Sequence, residues 1–368
     1  MSTGTLTGQV IVPFFGALMC ITPAITRPTV PFGVRVPAER ARATVIRRER
    51  HAYYGRTAVI GACCAITAVL LGGHGSWWLT RIILLIEVAA DLGCVVIARK
   101  NIIAVKNAEH WFAGRRQIVV TDTSWRTDPP RFPVRWLIPA LAVLTATAVI
   151  GVLRYPVLPA RLAVGLTAGP GHLAPKSVVR AFAVVAGQCY VTALWTGLLL
   201  LVYRSRPDLE AADPAGSAVR YRRFLAVCTK AVLTLLALVN LTLLLTALRT
   251  WQVYRPSGIG SALPLLPFAA GLIIFAAAVF RTGQGGFRLS RGARGGRHGF
   301  AGGTDRDDDR FWKAGLFYVN RGDPALMVAS RVGVGWTLNL ANPAAWLLIA
   351  TVAAVPAGLA AIAAAAGM

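Results

Sequence analysis

The 368-residue sequence predicts an all-α transmembrane helical bundle of about eight spans, with a small β-rich cytoplasmic module before the last helix. Three observations lead there. Hydrophobic residues make up 55% of the chain and charged residues only 15%, against the ~25% charged residues usual in soluble globular proteins. The charges cluster, so that runs such as 257–280 and 342–368 carry none; each is long enough for the ~20 residues a helix needs to cross the hydrocarbon core. Lys and Arg also fall on alternate connectors: segments 27–56, 99–135, 204–223 and 281–343 hold 8, 8, 5 and 10, while 74–77, 154–180 and 249–258 hold 0, 4 and 2.

In order along the chain, the apolar runs are 8–26, 57–73, 78–98, 136–154, 178–203, 224–248, 259–280 and 344–366. Backbone polar groups must be satisfied within lipid, and these runs are too long and uniform for barrel strands, so each is expected to be a helix. Pro13, Pro23, Pro264 and Pro267 predict kinks or late starts. The positive-inside bias puts the basic connectors in the cytoplasm and both termini outside. It also removes the reading that the net charge of +24 first invites, nucleic-acid binding. The first run has no basic residue ahead of it, so it is expected to be a retained span rather than a secretory signal. Six regions follow: 1–135 with three spans, 136–203 with two spans and an outer loop, 204–280 with two, a tether at 281–303, the module at 304–343, and the last helix at 344–368.

The tether, "RTGQGGFRLSRGARGGRHGFAGG", is rich in Gly and Arg and reads as flexible and attracted to anionic headgroups. Beyond it "GLFYVN" and "ALMVAS" read as short strands about the turn residues "RGDP". "VGVGWTLN" is expected to add a strand or lead back to the membrane.

Few residues suggest chemistry. Glu87 and Asp91 lie four apart and share a face of the third helix. Lys230 in the sixth falls at similar depth, and an isolated charge in hydrocarbon is costly. Helices three and six are therefore expected to be neighbours, with Lys230 paired to one or both acids, as a structural ion pair or as part of an ion pathway; a lysine snorkelling to the surface is the third option. The acids Asp305, Asp307, Asp308 and Asp309 lack the glycine and closing glutamate of a calcium loop and read as a solvated N-terminal cap. The cysteines all lie in apolar runs and read as small buried hydrophobes. No nucleophile motif, phosphate loop or dinucleotide fingerprint occurs, so neither an enzyme nor a cofactor or resident metal is expected.

The outer loop "YPVLPARLAVGLTAGPGHLAPKSVVRAF", through Tyr155, Pro156, Leu158, Pro159, Val164 and Lys176, resembles a domain of unknown function in bacterial membrane proteins. Its relatives include SdpI-type immunity proteins, which protect cells from a secreted toxic peptide. The histidine of that pattern falls near Gly165 here and His172 is displaced, so no role resting on it carries over. "VPFGVRVPAERA" (30–41) resembles the first inner loop of larger members. "FWKAGLFYVNRGDPALMV" with "RVGVGWTLN" resembles a second uncharacterised domain, which singles out Trp312, Tyr318, Asn320, Asp323, Pro324, Trp336 and Asn339. The resemblance implies a bacterial cytoplasmic-membrane protein acting as a sensor or immunity-like protein. It would meet a peptide or envelope signal outside and hold a regulatory protein inside. A transporter coupled through Glu87, Asp91 and Lys230, and a scaffolding subunit, are the alternatives.

Overall fold

The computed structural model describes residues 12, 16–72, 77–113, 119–122, 128–163, 173–205, 207–209, 213–253, 263–289, 300–304 and 308–365. Among these, eight helices account for the apolar runs: α1 Gly16–Ile25, α2 Thr44–Gly72, α3 Trp77–Ala108, α4 Ile138–Arg154, α5 Val178–Arg204, α6 Pro214–Thr250, α7 Leu265–Thr282 and α8 Pro343–Ala365. Five of them, α2, α4, α5, α6 and α7, are long and apolar enough to cross a membrane. The chain is a multi-pass membrane protein.

Three helices outrun their apolar stretches. α2 starts at Thr44 rather than 57, α3 continues to Ala108 rather than 98, and α6 begins at Pro214 rather than 224. These extensions carry Arg and Lys, which mark them as non-membrane yet are good helix formers. Ten residues of helix add about 15 Å, so the rods project beyond their greasy sections at the end where the basic connectors lie.

Local sequence sets several boundaries. Asp213 caps α6, its carboxylate accepting from the Gly216 N–H at 3.0 Å, with Pro214 in the first turn. Ser177 caps α5 in the same way. Asn342 accepts the Ala344 N–H at 3.0 Å just before Pro343. α7 stops at Gly283, whose φ of +62° leaves the helical region.

Helix packing falls into two groups. α2 lies along α3, and Val12 joins Cys64, Ala68 and Ile83 in one apolar cluster. In the second group α6 packs on α4, α5 and α7, with α8 against α5. A polar knot ties this group: Gln188 donates to the Thr147 hydroxyl (3.1 Å) and the Asn240 carbonyl (2.8 Å), and Asn240 donates to Thr192 (3.0 Å) and the Ala140 carbonyl (3.1 Å).

The connectors at the basic end fold together. Strands β1 (Val119–Asp122), β4 (Asp208–Leu209) and β5 (Phe300–Thr304) form one antiparallel sheet in the order β4-β1-β5, joining three separate connectors. At the other end β2 (Arg161–Ala163) pairs with β3 (Leu173–Pro175) in the outer loop.

Part of the expected tether is held in place. Gln284 accepts the Arg27 N–H at 2.9 Å and donates to the Ser330 carbonyl, and Arg288 donates to the carbonyls of Phe280 and Ala24, each at 2.7 Å. A Cβ on Gly286, which has φ +81°, would come within 2.5 Å of the Arg220 carbonyl oxygen, so glycine here serves close packing rather than looseness. Residues 290–299 lie outside those described.

The module consists of two antiparallel hairpins, β6 (Trp312–Lys313) with β7 (Phe317–Tyr318) and β8 (Met327–Ala329) with β9 (Trp336–Leu338). "RGDP" does not close a hairpin between the two predicted strands; it links one hairpin to the other, which meet where Tyr318 bridges Asn339.

Candidate functional site

The module sits on both helix groups, and the turn of its second hairpin, through Arg331 and Val332, reaches the same side as its first. On one side Met327 packs with Val202, Leu209, Tyr221, Phe224 and Leu225 at the ends of α5 and α6, and the Trp336 indole donates to the Tyr221 hydroxyl at 3.2 Å. On the other side it meets α3 and the loop 30–41 through charge.

That charged contact centres on Asp309. Lys106, near the end of α3, donates to its Oδ2 at 2.7 Å, Arg331 pairs with Oδ1, and the Arg35 N–H points at the same oxygen from 3.3 Å. Arg99, two turns earlier on α3, donates to the Gly33 carbonyl at 2.6 Å and to the Trp312 carbonyl at 3.2 Å. Arg331 also reaches the Gly33 carbonyl, at 3.0 Å, and lies 4.8 Å over the Trp312 ring. Arg99, Lys106 and Arg331 are all buried. Burial pushes the Asp309 carboxyl upward, but Arg331 and Lys106, with Arg99 behind them, outweigh it and hold it below the usual range.

The loop accepts the module because two glycines face each other. Gly33 has φ +74°, and a Cβ there would sit 2.7 Å from the Gly315 carbonyl oxygen; Gly315 has φ +76°, and its Cβ would press on Arg99 Nη1 at 3.0 Å. Both backbone conformations and both close approaches exclude larger side chains.

Sequence reasoning missed Asp309 as a hub, placing it in a solvated cap. Asp308 does cap, its side chain accepting the Arg310 N–H at 2.9 Å; Asp305 and Asp307 lie outside the described residues. Only the loop 30–41, far away in sequence, could have shown that the next aspartate turns inward.

The residues singled out in the module build the module. Trp312 and Tyr318 form its core with Val328, ring centroids 5.1 Å apart. The Tyr318 hydroxyl donates to Asp323 Oδ2 and receives a bond from the Asn320 amide, both 3.0 Å. Asn339, fully buried, accepts the Asn320 N–H and donates to the carbonyls of Asn320 and Asp323. Asp323 accepts the Ala325 N–H, and the Pro324 carbonyl receives Asn342. Trp336 faces α6, as above.

In the outer loop, the Lys176 ammonium lies 4.7 Å over the Tyr155 ring and within 3.5 Å of the Pro156 and Leu158 carbonyls. Leu158 is buried with Leu162, Ala181 and Trp251. Pro156 lies within the short 3-10 turn Tyr155–Val157, and Pro159 follows it. The matched residues thus close the loop on itself; Val164, Gly165 and His172 lie outside the described residues.

The predicted intramembrane charge cluster divides. Lys230 is exposed and sits 5.7 Å from the Trp136 ring centroid. It does not pair with Glu87 or Asp91, because α3 packs on α2 and α1 rather than on α6. The two acids are buried, 0% and 1% exposed, and none of their four carboxylate oxygens has a hydrogen-bond partner among the described residues. Small residues make room: a Cβ on Gly16 would lie 2.6 Å from Glu87 Oε1, and one on Gly61 3.6 Å. No grouping of three or more metal-ligating side chains occurs among the described residues.

Residues 321–346 match the model of a family of unknown function (DUF5808). That segment holds Asp323, Pro324, Trp336, Asn339 and the start of α8, so the C-terminal part of the resemblance is an uncharacterised domain; the match gives no SdpI-type relationship. No curated protein and no solved structure matches the chain.

Proposed function

We propose that this chain is a non-enzymatic sensor, immunity-like in the sense the outer-loop resemblance implies. In this reading it crosses a bacterial cytoplasmic membrane eight times with both termini outside. The observation that supports it most is that one helix, α3, carries Glu87 and Asp91 within its apolar stretch and Arg99 and Lys106 at the module. At 1.5 Å per residue, Asp91 and Lys106 stand about 22 Å apart on one rod. A peptide or envelope signal that reseated α1–α3 would pull on the charged clasp while β8–β9 stayed on α5 and α6. The module would then open between its hairpins and offer a cytoplasmic regulatory protein a new surface.

Hydrogen exchange in lipid nanodiscs tests this. Double neutralisation, Glu87→Gln with Asp91→Asn, should change protection at Trp312–Tyr318 while leaving Trp336–Leu338 as it was. Identical exchange in both hairpins would defeat the sensor reading.

A second reading, ion- or proton-coupled transport, draws on the same unpartnered carboxylates, which commonly mark ion routes in membranes. It now rests on Glu87 and Asp91 without Lys230. Under it, the double neutralisation abolishes flux in proteoliposomes and leaves both hairpins unchanged.

A further inference from the structure

Lys230 takes no part in the charge pairs described above. It lies on the membrane-capable stretch Pro214–Thr250, inside the apolar run 224–248. Between Arg223 and Lys230 the exposed positions of α6 are 223, 227 and 230, the spacing of a single helix face. That face looks onto the start of α4. The 3-10 turn Val134–Leu137 leads into α4 and packs on α6, and it brings the Trp136 ring centroid to 5.7 Å from the Lys230 ammonium. Leu137 of the same turn joins Leu233 and Leu236 in one apolar cluster, which fixes the turn against α6. Trp136 is itself exposed and is the third residue of the membrane-capable stretch Val134–Val157.

Neither polar group finds a partner in the protein. Among the described residues the Lys230 ammonium makes no hydrogen bond or ion pair, and the Trp136 indole N–H, which can only donate, has no acceptor. Arg135 and Arg223, both exposed, have no acid partner there either. Asp128, close to the turn in sequence, is taken by Arg222 at 2.7 Å. Val227 and Ile138 are exposed apolar side chains, one between the two cations of α6 and the other just after the turn. A cation on the flank of an apolar span is costly without a counter-charge, and around such a span the counter-charges are lipid phosphates.

We propose that Lys230 and Trp136 form the binding site for the phosphate of one anionic phospholipid. An aromatic ring in the first turn of a span sits at headgroup level, and its contact with Lys230 sets the ammonium at the same height. The ammonium pairs with the phosphate, the indole N–H donates to one of its oxygens, and the acyl chains run past Ile138. Arg223, about 10 Å along α6, and Arg135 surround the site with further positive charge. Basic hollows between spans favour anionic headgroups for this reason. A choline headgroup would satisfy Lys230 but set its own cation among arginines.

Native mass spectrometry of the full-length protein, taken from vesicles of equal phosphatidylglycerol and phosphatidylcholine, tests the site. The wild type should keep one phosphatidylglycerol in clear excess. Lys230→Met keeps an unbranched, helix-favouring side chain and should lower that retention about fivefold, the value of one cation near an anionic surface. Its melting temperature should be unchanged or raised, which separates lost binding from lost folding. Lys230→Arg should restore retention, and Trp136→Phe, which removes only the indole N–H, should lower it by less than Lys230→Met. Arg48→Met takes the same charge from an exposed position on α2 and should leave retention as it was. A wild type that carries the two lipids in the vesicle ratio overturns the proposal. Equal losses in Lys230→Met and Arg48→Met overturn it too, since they would reduce the effect to overall charge. So does displacement of the lipid by millimolar inorganic phosphate, which would assign the site to a free anion.

Discussion

Helix α3 meets buried acid twice and treats it in opposite ways. At the module end Asp309 is surrounded by Lys106, Arg331, the Arg35 N–H and, one layer out, Arg99. In the middle, Glu87 and Asp91 have small residues around them and no hydrogen-bond donor among the described residues. The first arrangement is a mutual lock, since three buried cations and one carboxylate each need the others. The second is a standing cost, carried by a part of the helix that packs, among the described residues, on α1 and α2. Buried charge fastens a structure when its partners come from different segments; left without partners, it makes the surrounding packing easy to shift.

The largest effect should come from breaking the lock. Asp309→Ala takes from the buried Lys106 and Arg331 the carboxylate they share, and removing one member of a buried pair costs about 3–5 kcal/mol. The hairpin β6–β7 should leave α3, read as loss of hydrogen-exchange protection at 312–318 and at 30–36. Protection equal to the wild type would show that the remaining contacts, Arg99 with the Gly33 and Trp312 carbonyls and the Gly33–Gly315 approach among them, hold the hairpin without the lock.

The middle of α3 should respond with the opposite sign. Glu87→Met removes an unsatisfied carboxylate at similar volume, and an unsatisfied buried polar group costs about 1–3 kcal/mol. Thermal unfolding in detergent should shift upward by a corresponding amount. A downward shift would mean that the Glu87 carboxyl is satisfied by a partner in the folded bundle.

Acid sharpens the contrast further. The folded-state pKa of Asp309 is depressed, so its contribution is fully present above the ordinary aspartate value of about 3.9. It is lost only as pH falls through the lower folded value. Module docking, followed by tryptophan fluorescence of the Trp312 region, should therefore be flat from neutral pH down to about 4 and fail below that. Loss of docking already near pH 6 would assign control to another group.

The helical bundle could be read from the sequence because span length and charge clustering are properties of single segments. All eight apolar runs became helices among the described residues. Their basic ends were misread for a related reason: Arg47, Arg48 and Lys100 report distance from lipid, not departure from helix. The strands at 317–318 and 327–329 fell inside the stretches expected to be extended, but their pairing did not follow chain order, because each is completed by a neighbour on its other side. The Asp309 clasp was least legible. It depends on Gly33, Lys106 and Arg331, spread over three connectors, and local pattern assigns that aspartate to a cap. Lys230 failed as a partner for the acids because depth in the bilayer says nothing about which helix stands alongside.

Between the satisfied lock and the unsatisfied pair lies a third, smaller case, and it offers the finest test. Pro356 interrupts α8 and has no N–H for the carbonyl of Val352, four residues earlier. The Tyr190 hydroxyl of α5 supplies that donor instead, at 2.7 Å. In lipid a lone carbonyl has no water to turn to, so this bond should fasten α8 to α5. Tyr190→Phe should lower stability by about 0.5–1.5 kcal/mol, the net value of one hydrogen bond. Pro356→Ala restores an N–H within α8, so in that background Tyr190→Phe should cost close to nothing. The double-mutant cycle therefore predicts a coupling equal to almost the whole single-mutant effect. Additive effects would mean that the Val352 carbonyl does not depend on Tyr190, and that buried polar groups in this bundle tolerate isolation more readily than the contrast along α3 requires.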